Sequence, residues 1–259
     1  MQRFKQFGTA ARVGGKALYH LTAGAVMQPK ASWAFVETVA NAIADFDYPP
    51  DPQLPSVALE ELFPSAEAIP EAVIEPQGVY ELPQEECRCM AKLVVALAPR
   101  HVFEIGTNHG RTTRLIAELA PADSHVYTLD LPQDQMLRGK HFDQARLDLI
   151  GDAFRNHPVR SKITQLYGNS LTFDFSRYAG QMDLIFVDGD HSYEGVKSDT
   201  ENALKMLAPG GVIVWDDYIQ TMWGRHVMRW LHALAKTMPV HQLGTTRLVL
   251  YRAPRGPRA

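Results

Sequence analysis

The chain has 259 residues, of which 46% are hydrophobic and 21% charged, with a formal net charge of -3. This length and apolar content suit one large domain, or one domain with a smaller appendage, around a full core. The slight acidity argues against a protein that binds nucleic acid by neutralising phosphates, and no run reaches the roughly 18 apolar residues of a membrane span.

The N-terminal basic residues Arg3, Lys5, Arg12 and Lys16 read as a solvated face, and the apolar patch Leu18–Met27 is too weak for a signal peptide. Cys87 and Cys89 are too close in sequence to bridge easily and complete no zinc set with the histidines. They read as reduced thiols of a cytoplasmic protein.

Taken in order, Trp33–Phe46 is predicted to be an amphipathic helix, with Phe35, Val39, Ile43 and Phe46 at helical spacing. Prolines at 49, 50, 52 and 55 end it, and Leu59, Leu62 and Phe63 suggest a short helical turn. Residues 1–80 are therefore expected to be an arm or cap, either over the site or between subunits of a homo-oligomer, and 81–259 the main domain. Pro83–Leu97 is predicted to be a helix opened by its proline.

From His101 strands and helices alternate. Strands are expected at His101–Ile105, Val126–Leu129, Ile163–Tyr167, Met182–Val187 and Val212–Trp215. Helices are expected over Thr112–Leu119, Gln144–Phe154, Glu194–Leu207 (stopped by Pro209, Gly210 and Gly211) and Met222–Ala235. Val240–Leu243 and Arg247–Tyr251 suggest a hairpin over Gly244, and Arg252–Ala259 a frayed tail. The pattern predicts an α/β fold with a mostly parallel sheet covered on both faces. The long stretch from Leu131 to Ser161 follows a strand's carboxyl end and is a candidate mobile lid.

Chemistry gathers at the ends of those strands. VFEIGTNHGRTT, Val102 to Thr113, reads as strand, tight turn and helix start. It fails the dinucleotide fingerprint, since Asn108 and Arg111 stand where glycines belong. Gly106 and Gly110 admit close backbone approach, and the helix start offers amides to a polar or charged cofactor. Asp130 closes the second strand and can accept the hydroxyls of a ribose, or cap the turn before Pro132. Asn169 and Ser170 follow the third strand and can reach an adenine edge or cap a helix. Asp188, Asp190 and His191 follow the fourth, and Asp216 and Asp217 the fifth. Three converging carboxylates, Asp188, Asp216 and Asp217, repel one another unless a cation lies between them. All-oxygen ligation points to Mg²⁺, or Mn²⁺ or Ca²⁺. The alternative is that one carboxylate turns away.

The segments EIGTNHGRTT, VYTLDLP, LYGNS, MDLIFVDGDHSYEGVKSDTENAL, LAPGGVIVWDDY and GTTRLVL occur in this order. Together they resemble the class I S-adenosylmethionine (SAM) dependent methyltransferases, and more narrowly a bacterial group with a DG-x-H-x-YE-x-V motif related to metal-dependent O-methyltransferases. The resemblance implies a Rossmann-like seven-stranded sheet in the order 3-2-1-4-5-7-6. It implies SAM contacts at Glu104, Gly106, Asn108, Gly110, Asp130, Asn169, Ser170 and Asp188, and a metal on Asp188, Asp216 and Asp217.

Relatives of the catechol type carry a lysine base where this chain has His191, so His191 is a candidate base, or else a partner of a carboxylate. Asp190 is the rival, by its likeness to sugar O-methyltransferases with a DGD motif. His109 reads as a pocket wall, and Tyr193 as another. The expected activity is Mg²⁺-assisted O-methylation of a small-molecule hydroxyl, on a sugar or natural product. Metal-independent O- or N-methylation, a nicotinamide oxidoreductase and a noncatalytic SAM-fold partner protein are the alternatives.

Overall fold

A computed structural model describes Ser32 and residues 53–69, 82–138, 147–221 and 224–256. The predicted helix Trp33–Phe46 lies outside these residues. The chain divides into two units, Met1–Pro52 with Gln220–Arg225, and Gln53–Ile219 with His226–Ala259. In the first, Thr221 accepts the amides of Gly224 (3.1 Å, through Oγ1) and Arg225 (3.0 Å, through its carbonyl). The second carries the sheet.

The sheet unit begins with β1 (Ser56–Val57), α1 (Leu59–Leu62) and α2 (Gln84–Leu97). Then come β2 (His101–Ile105), α3 (Arg111–Leu119), β3 (His125–Asp130), α4 (Gln133–Arg138), α5 (Asp152–Arg155) and β4 (Ile163–Tyr167). The remainder is β5 (Met182–Val187), α6 (Tyr193–Met206), β6 (Leu207–Trp215), α7 (Gly224–Leu234, which belongs to this unit from His226), β7 (His241–Leu243) and β8 (Val249–Arg252). The strands form one sheet in the order β1-β7-β8-β6-β5-β2-β3-β4. β2 to β8 follow the expected seven-strand order, and the difference is an eighth strand, β1, added in parallel to β7 at the edge. β8 is antiparallel to β6 and β7.

Parallel pairing fixes what lies beside what. Leu129, Ile105, Val187 and Trp215 pair across β3, β2, β5 and β6. The next residue of each strand is Asp130, Gly106, Asp188 and Asp216, so the chemistry-bearing positions form one row at the carboxyl edge. One step back from the edge, alternation sends side chains to opposite faces. Val102, Val126, Leu184 and Val212 share a face with Met90, Val94 and Ile116 of α2 and α3. Phe103 points to the other, where its ring meets Phe175 at 5.6 Å and Tyr178 at 4.9 Å.

Three local expectations are corrected. The helix predicted through Gln144–Phe154 is interrupted. Gly151 sits in the left-handed region (φ +71°), and its amide bonds the Asn108 carbonyl at 2.8 Å instead of continuing a helix. α6 stops before the Pro-Gly-Gly signal, because Leu207 already pairs with Met182 of β5 and Ala208 precedes a proline, which disfavours helix. The tail is not frayed at its start: the Ala253 amide bonds Gly211, and the Gly210 amide bonds Pro254.

The segment 53–69 contributes to the core. Leu54, Leu59, Phe63 and Ala66 are buried, and Arg252 lies over the Phe63 ring at 4.4 Å. Among the described residues no helix is long and apolar enough to cross a membrane. Phe63→Ala should cost about 3–5 kcal/mol, the usual loss for a buried phenylalanine. Denaturant unfolding measures it. A loss under about 1 kcal/mol would place Phe63 outside the core, since surface changes stay near 0.5 kcal/mol.

Candidate active site

A cavity of about 440 Å³ opens at the carboxyl edge of the sheet. Gly106, Asn108, Asp130, Asn169, Ser170, Asp188, Asp190 and His191 all line it, joined by apolar walls from Ile105, Leu129, Met136 and Ile150. Its size lies within the range of small-molecule sites. Glu104 and Gly110 are not among the lining residues.

The turn after β2 is built around its glycine. Gly106 has φ +102°, and a Cβ on it would stand 1.9 Å from the Asp188 carbonyl oxygen. No other residue allows the β2 and β5 exits to approach so closely. Gly110 precedes α3, and a Cβ there would strike the Phe154 ring at 2.3 Å. The Ala153 amide bonds the His109 carbonyl at 3.1 Å, so 151–154 dock on this turn. The docked part of the candidate lid is thus fastened to the loop, while 139–146 lie outside the described residues. His109 is not a cavity wall: its Nδ1 sits 3.6 Å from Asp152 Oδ1.

Asp130 holds the turn from the side. Its Oδ2 accepts the amides of Asn108 (2.8 Å) and Thr107 (3.2 Å), and its Oδ1 accepts that of Leu131 (2.8 Å). Burial raises its pKa, and these three amides oppose the rise. Asn169 caps its own turn, Oδ1 accepting the Leu171 amide at 3.0 Å.

Glu104 works beneath the loop. It is 1% exposed and accepts the hydroxyls of Thr113 on α3 and Thr128 on β3, while Thr128 also bonds Thr107. It therefore braces the turn from inside. Burial pushes its pKa up to about 8, against the two hydroxyl bonds. A carboxyl raised in the folded state favours folding at low pH, and that contribution is lost as pH rises from the ordinary carboxylate range through about 8. Glu104→Gln keeps the acceptor oxygen without the charge. It should flatten this loss and raise Tm at pH 8.5 by at least about 2–4 °C, the shift expected for about 1 kcal/mol. Thermal melts at several pH values measure it, and parallel curves for the two proteins would refute it.

The acid cluster is arranged differently from the three-carboxylate expectation. Asp188, His191 and Asp217 come together, with one ligand atom from each lying within 4.8 Å of the others. His191 Nε2 is 2.9 Å from Asp217 Oδ2 and 3.5 Å from Asp188 Oδ1. These two hydrogen bonds, first with Asp188 and then with Asp217, raise the imidazole pKa to about 10. Asp216 is not in the group. It is 3% exposed and faces Arg247, whose Nε lies 2.8 Å from Oδ1 and whose Nη2 donates to Oδ2 at 2.9 Å. Burial, then repulsion from Asp188 and Asp217, pushes Asp216 up to about 7, and Arg247 opposes this.

Asp217 adopts φ +61°, a left-handed turn that sets its side chain apart from that of its neighbour. Burial pushes its carboxyl up, but the His191 hydrogen bond and charge and Arg247 outweigh it, and the group ends below its usual range. Asp190 is exposed and accepts the amide (3.1 Å) and hydroxyl (2.6 Å) of Ser192, which caps α6. Tyr193 is not a wall of the cavity and packs edge-on against Trp230 at 5.7 Å.

Two residues at the site were not foreseen. Arg247 belongs to the GTTRLVL segment, whose pattern signals a strand and no charge role. Asp199 on α6 is fully buried, with Oδ2 2.9 Å from where a Gly189 Cβ would be, and burial raises its pKa to about 6. Its sole sequence signal was an acid on the inward face of an amphipathic helix.

Residues 103–218 match a family described as a methyltransferase domain. A 47-residue stretch is 43% identical to an uncharacterized protein, R132, of Acanthamoeba polyphaga mimivirus, over 18% of this chain and 21% of that one. The match thus spans about a fifth of the curated relative's length. The cofactor-bound protein Rv0187 from MTB has the same fold at 20% identity and a TM-score of 0.50, covering 74% of this chain and 89% of the other. Looser overlaps, both with a TM-score of 0.47, join the chain to two O-methyltransferases. TomG of Streptomyces achromogenes, involved in tomaymycin synthesis and solved with SAM, is 17% identical (84% and 98% covered). The Bacillus cereus enzyme solved with SAH is 18% identical (82% and 97% covered). The family match over residues 103–218 is to a methyltransferase domain, and the fold is shared with the cofactor-bound Rv0187.

Proposed function

We propose that the protein is an O-methyltransferase that moves the SAM methyl group to a hydroxyl of a small molecule, a sugar or a natural product, and that its DG-x-H-x-YE-x-V motif marks the bacterial group it resembles. The observation that carries this reading is one cavity lined at once by the glycine turn, Asp130, Asn169–Ser170 and the Asp188–Asp190–His191 edge. The turn and its amides suit the methionine part, Asp130 the ribose hydroxyls, and the apolar walls with Asn169 and Ser170 the adenine. SAM brings an activated methyl, so the protein has to align an acceptor oxygen with it and receive a proton. The acceptor oxygen forms the new C–O bond as the C–S bond breaks, and S-adenosylhomocysteine leaves.

Asp130→Asn should keep the fold and lower SAM affinity about tenfold, because a charged acceptor of buried hydroxyls contributes roughly 1.5–3 kcal/mol. Calorimetry decides, and unchanged affinity in the folded variant would remove Asp130 from the ribose site.

His191 is the acceptor of the proton in this reading. With a pKa of about 10 it holds a proton at neutral pH, so the rate in chelated enzyme should climb with pH towards about 10 and level off there. His191→Asn should abolish that climb and cost about 10²–10⁴-fold. A profile flat from neutral pH upward would move the role to Asp190, which also lines the cavity.

Asp188, His191 and Asp217 favour a second reading, in which they hold a divalent cation. Two carboxylates and an imidazole suit Mn²⁺ better than Mg²⁺ and are far short of the oxygens that Ca²⁺ takes. The three-aspartate Mg²⁺ site does not fit, since Asp216 is engaged by Arg247. A cation so held would lower the pKa of a bound hydroxyl. Turnover of SAM with pooled sugars and phenols, in EDTA and after adding Mn²⁺ or Mg²⁺, separates the two readings. Full activity in metal-free enzyme supports the first, and dependence on added cation the second. No methylation of any hydroxyl acceptor under either condition would defeat the O-methyltransferase assignment.

A further inference from the structure

We infer that Arg247 is a positioning residue that divides the adjacent acids Asp216 and Asp217 between two tasks, withholding Asp216 from any cation and presenting Asp217 to His191. This rests on the reading of the Asp188–His191–Asp217 group as the methyl-transfer centre.

Arg247 is held before its side chain acts. It lies between β7 and β8, where its amide donates to Glu86 Oε1 on α2 at 3.1 Å and its carbonyl accepts the Tyr218 amide at 3.0 Å. The Tyr218 bond ties it to the residue just after the two acids. From that anchor the guanidinium meets both Asp216 oxygens, at 2.8 and 2.9 Å, and stands 3.5 Å from Asp217 Oδ1. One hydrogen bond from Nη2 and a close ion contact at Nε hold this carboxylate in orientation as well as charge. Asp216 Oδ1 also accepts the Asp217 amide at 2.7 Å, so this pairing steadies the left-handed turn. Asp217 is thereby directed to His191 at 2.9 Å. Three carboxylates are crowded here, and a fixed internal cation already answers one of them. Arg247 thus takes a place that a metal would otherwise be needed to fill.

The test uses the full chain and Mg²⁺ alone as probe, with binding read by calorimetry and folding checked by thermal melt. Arg247→Gln stays polar but drops the charge and the reach of the guanidinium, and should free Asp216 and strengthen Mg²⁺ binding by about tenfold or more. Asp216→Asn in the native background should leave Mg²⁺ binding within about twofold, and adding it to Arg247→Gln should erase the gain. Arg247→Lys, which keeps the charge, should gain nothing. Equal Mg²⁺ affinity in native protein and Arg247→Gln, or an about tenfold loss in Asp216→Asn, would overturn the inference. If Arg247→Gln does not fold, nitrogen-15 NMR of the native protein decides. The Arg247 Nε–H signal should be unmoved by about 10 mM Mg²⁺, and its displacement would show Asp216 exchanging Arg247 for the ion. SAM binding in the same native sample keeps the two assignments apart, because its absence defeats the proposed function and not the role of Arg247.

Discussion

The site depends on parallel register. Pairing of Ile105 with Leu129 on one side and Val187 on the other, and of Val187 with Trp215, leaves no freedom in where the next residues fall. A slip of one residue would send every side chain of a strand to the opposite face, exchanging buried Val102 and Phe186 for the positions of their neighbours. Because both faces of this sheet are packed, such a slip is costly throughout the core. The positions of Asp130, Gly106, Asp188 and Asp216 are therefore secured by hydrocarbon, well away from any ligand.

Charge is then distributed by depth. Glu104, one layer below the rim, is kept among hydroxyls where burial favours the neutral acid. Asp130 is at the rim and spends its oxygens on backbone amides that shape the loop. Asp216 is buried against a fixed guanidinium, and Asp188 and Asp217 share one imidazole. Five carboxylates within a short span of the sheet edge thus have four kinds of partner: hydroxyl, amide, guanidinium and imidazole. Each partner sets a different proton affinity, which is what allows one edge to serve structure and chemistry together.

Much of this could be read from the chain. Apolar runs ending in Glu104-Ile-Gly106, Asp130, Asp188 and Asp216 announced four strands and their carboxyl ends, because a strand buried on both faces needs a continuous apolar stretch and a turn needs something else. The cavity residues followed from those ends. What escaped the sequence depends on long-range pairing. β1 has two residues, and its partner β7 is far along the chain, so no local periodicity marks it. Gly151 looked like an ordinary position within a helix, and its role appears once its amide meets Asn108. Asp216 and Asp217 were adjacent letters of one type. Their divergence comes from Arg247, an arginine thirty-one positions away in sequence. Sequence spacing places carboxylates near one another but does not say which one a cation from another element will claim.

The left-handed backbone at Asp217 has a consequence for how this site can vary. At φ +61° most side chains are strained, while aspartate, asparagine and glycine are tolerated. Substitution at 217 is thereby filtered by conformation before function is tested. Asparagine passes the filter and is one base change from aspartate, so lineages can exchange a charged group for a neutral one here without rebuilding the turn. Glutamate, which would preserve the charge, does not pass. The backbone therefore biases inheritance towards changes of electrostatics at constant geometry, and the charge carried beside His191 is a character that evolution can adjust in single steps.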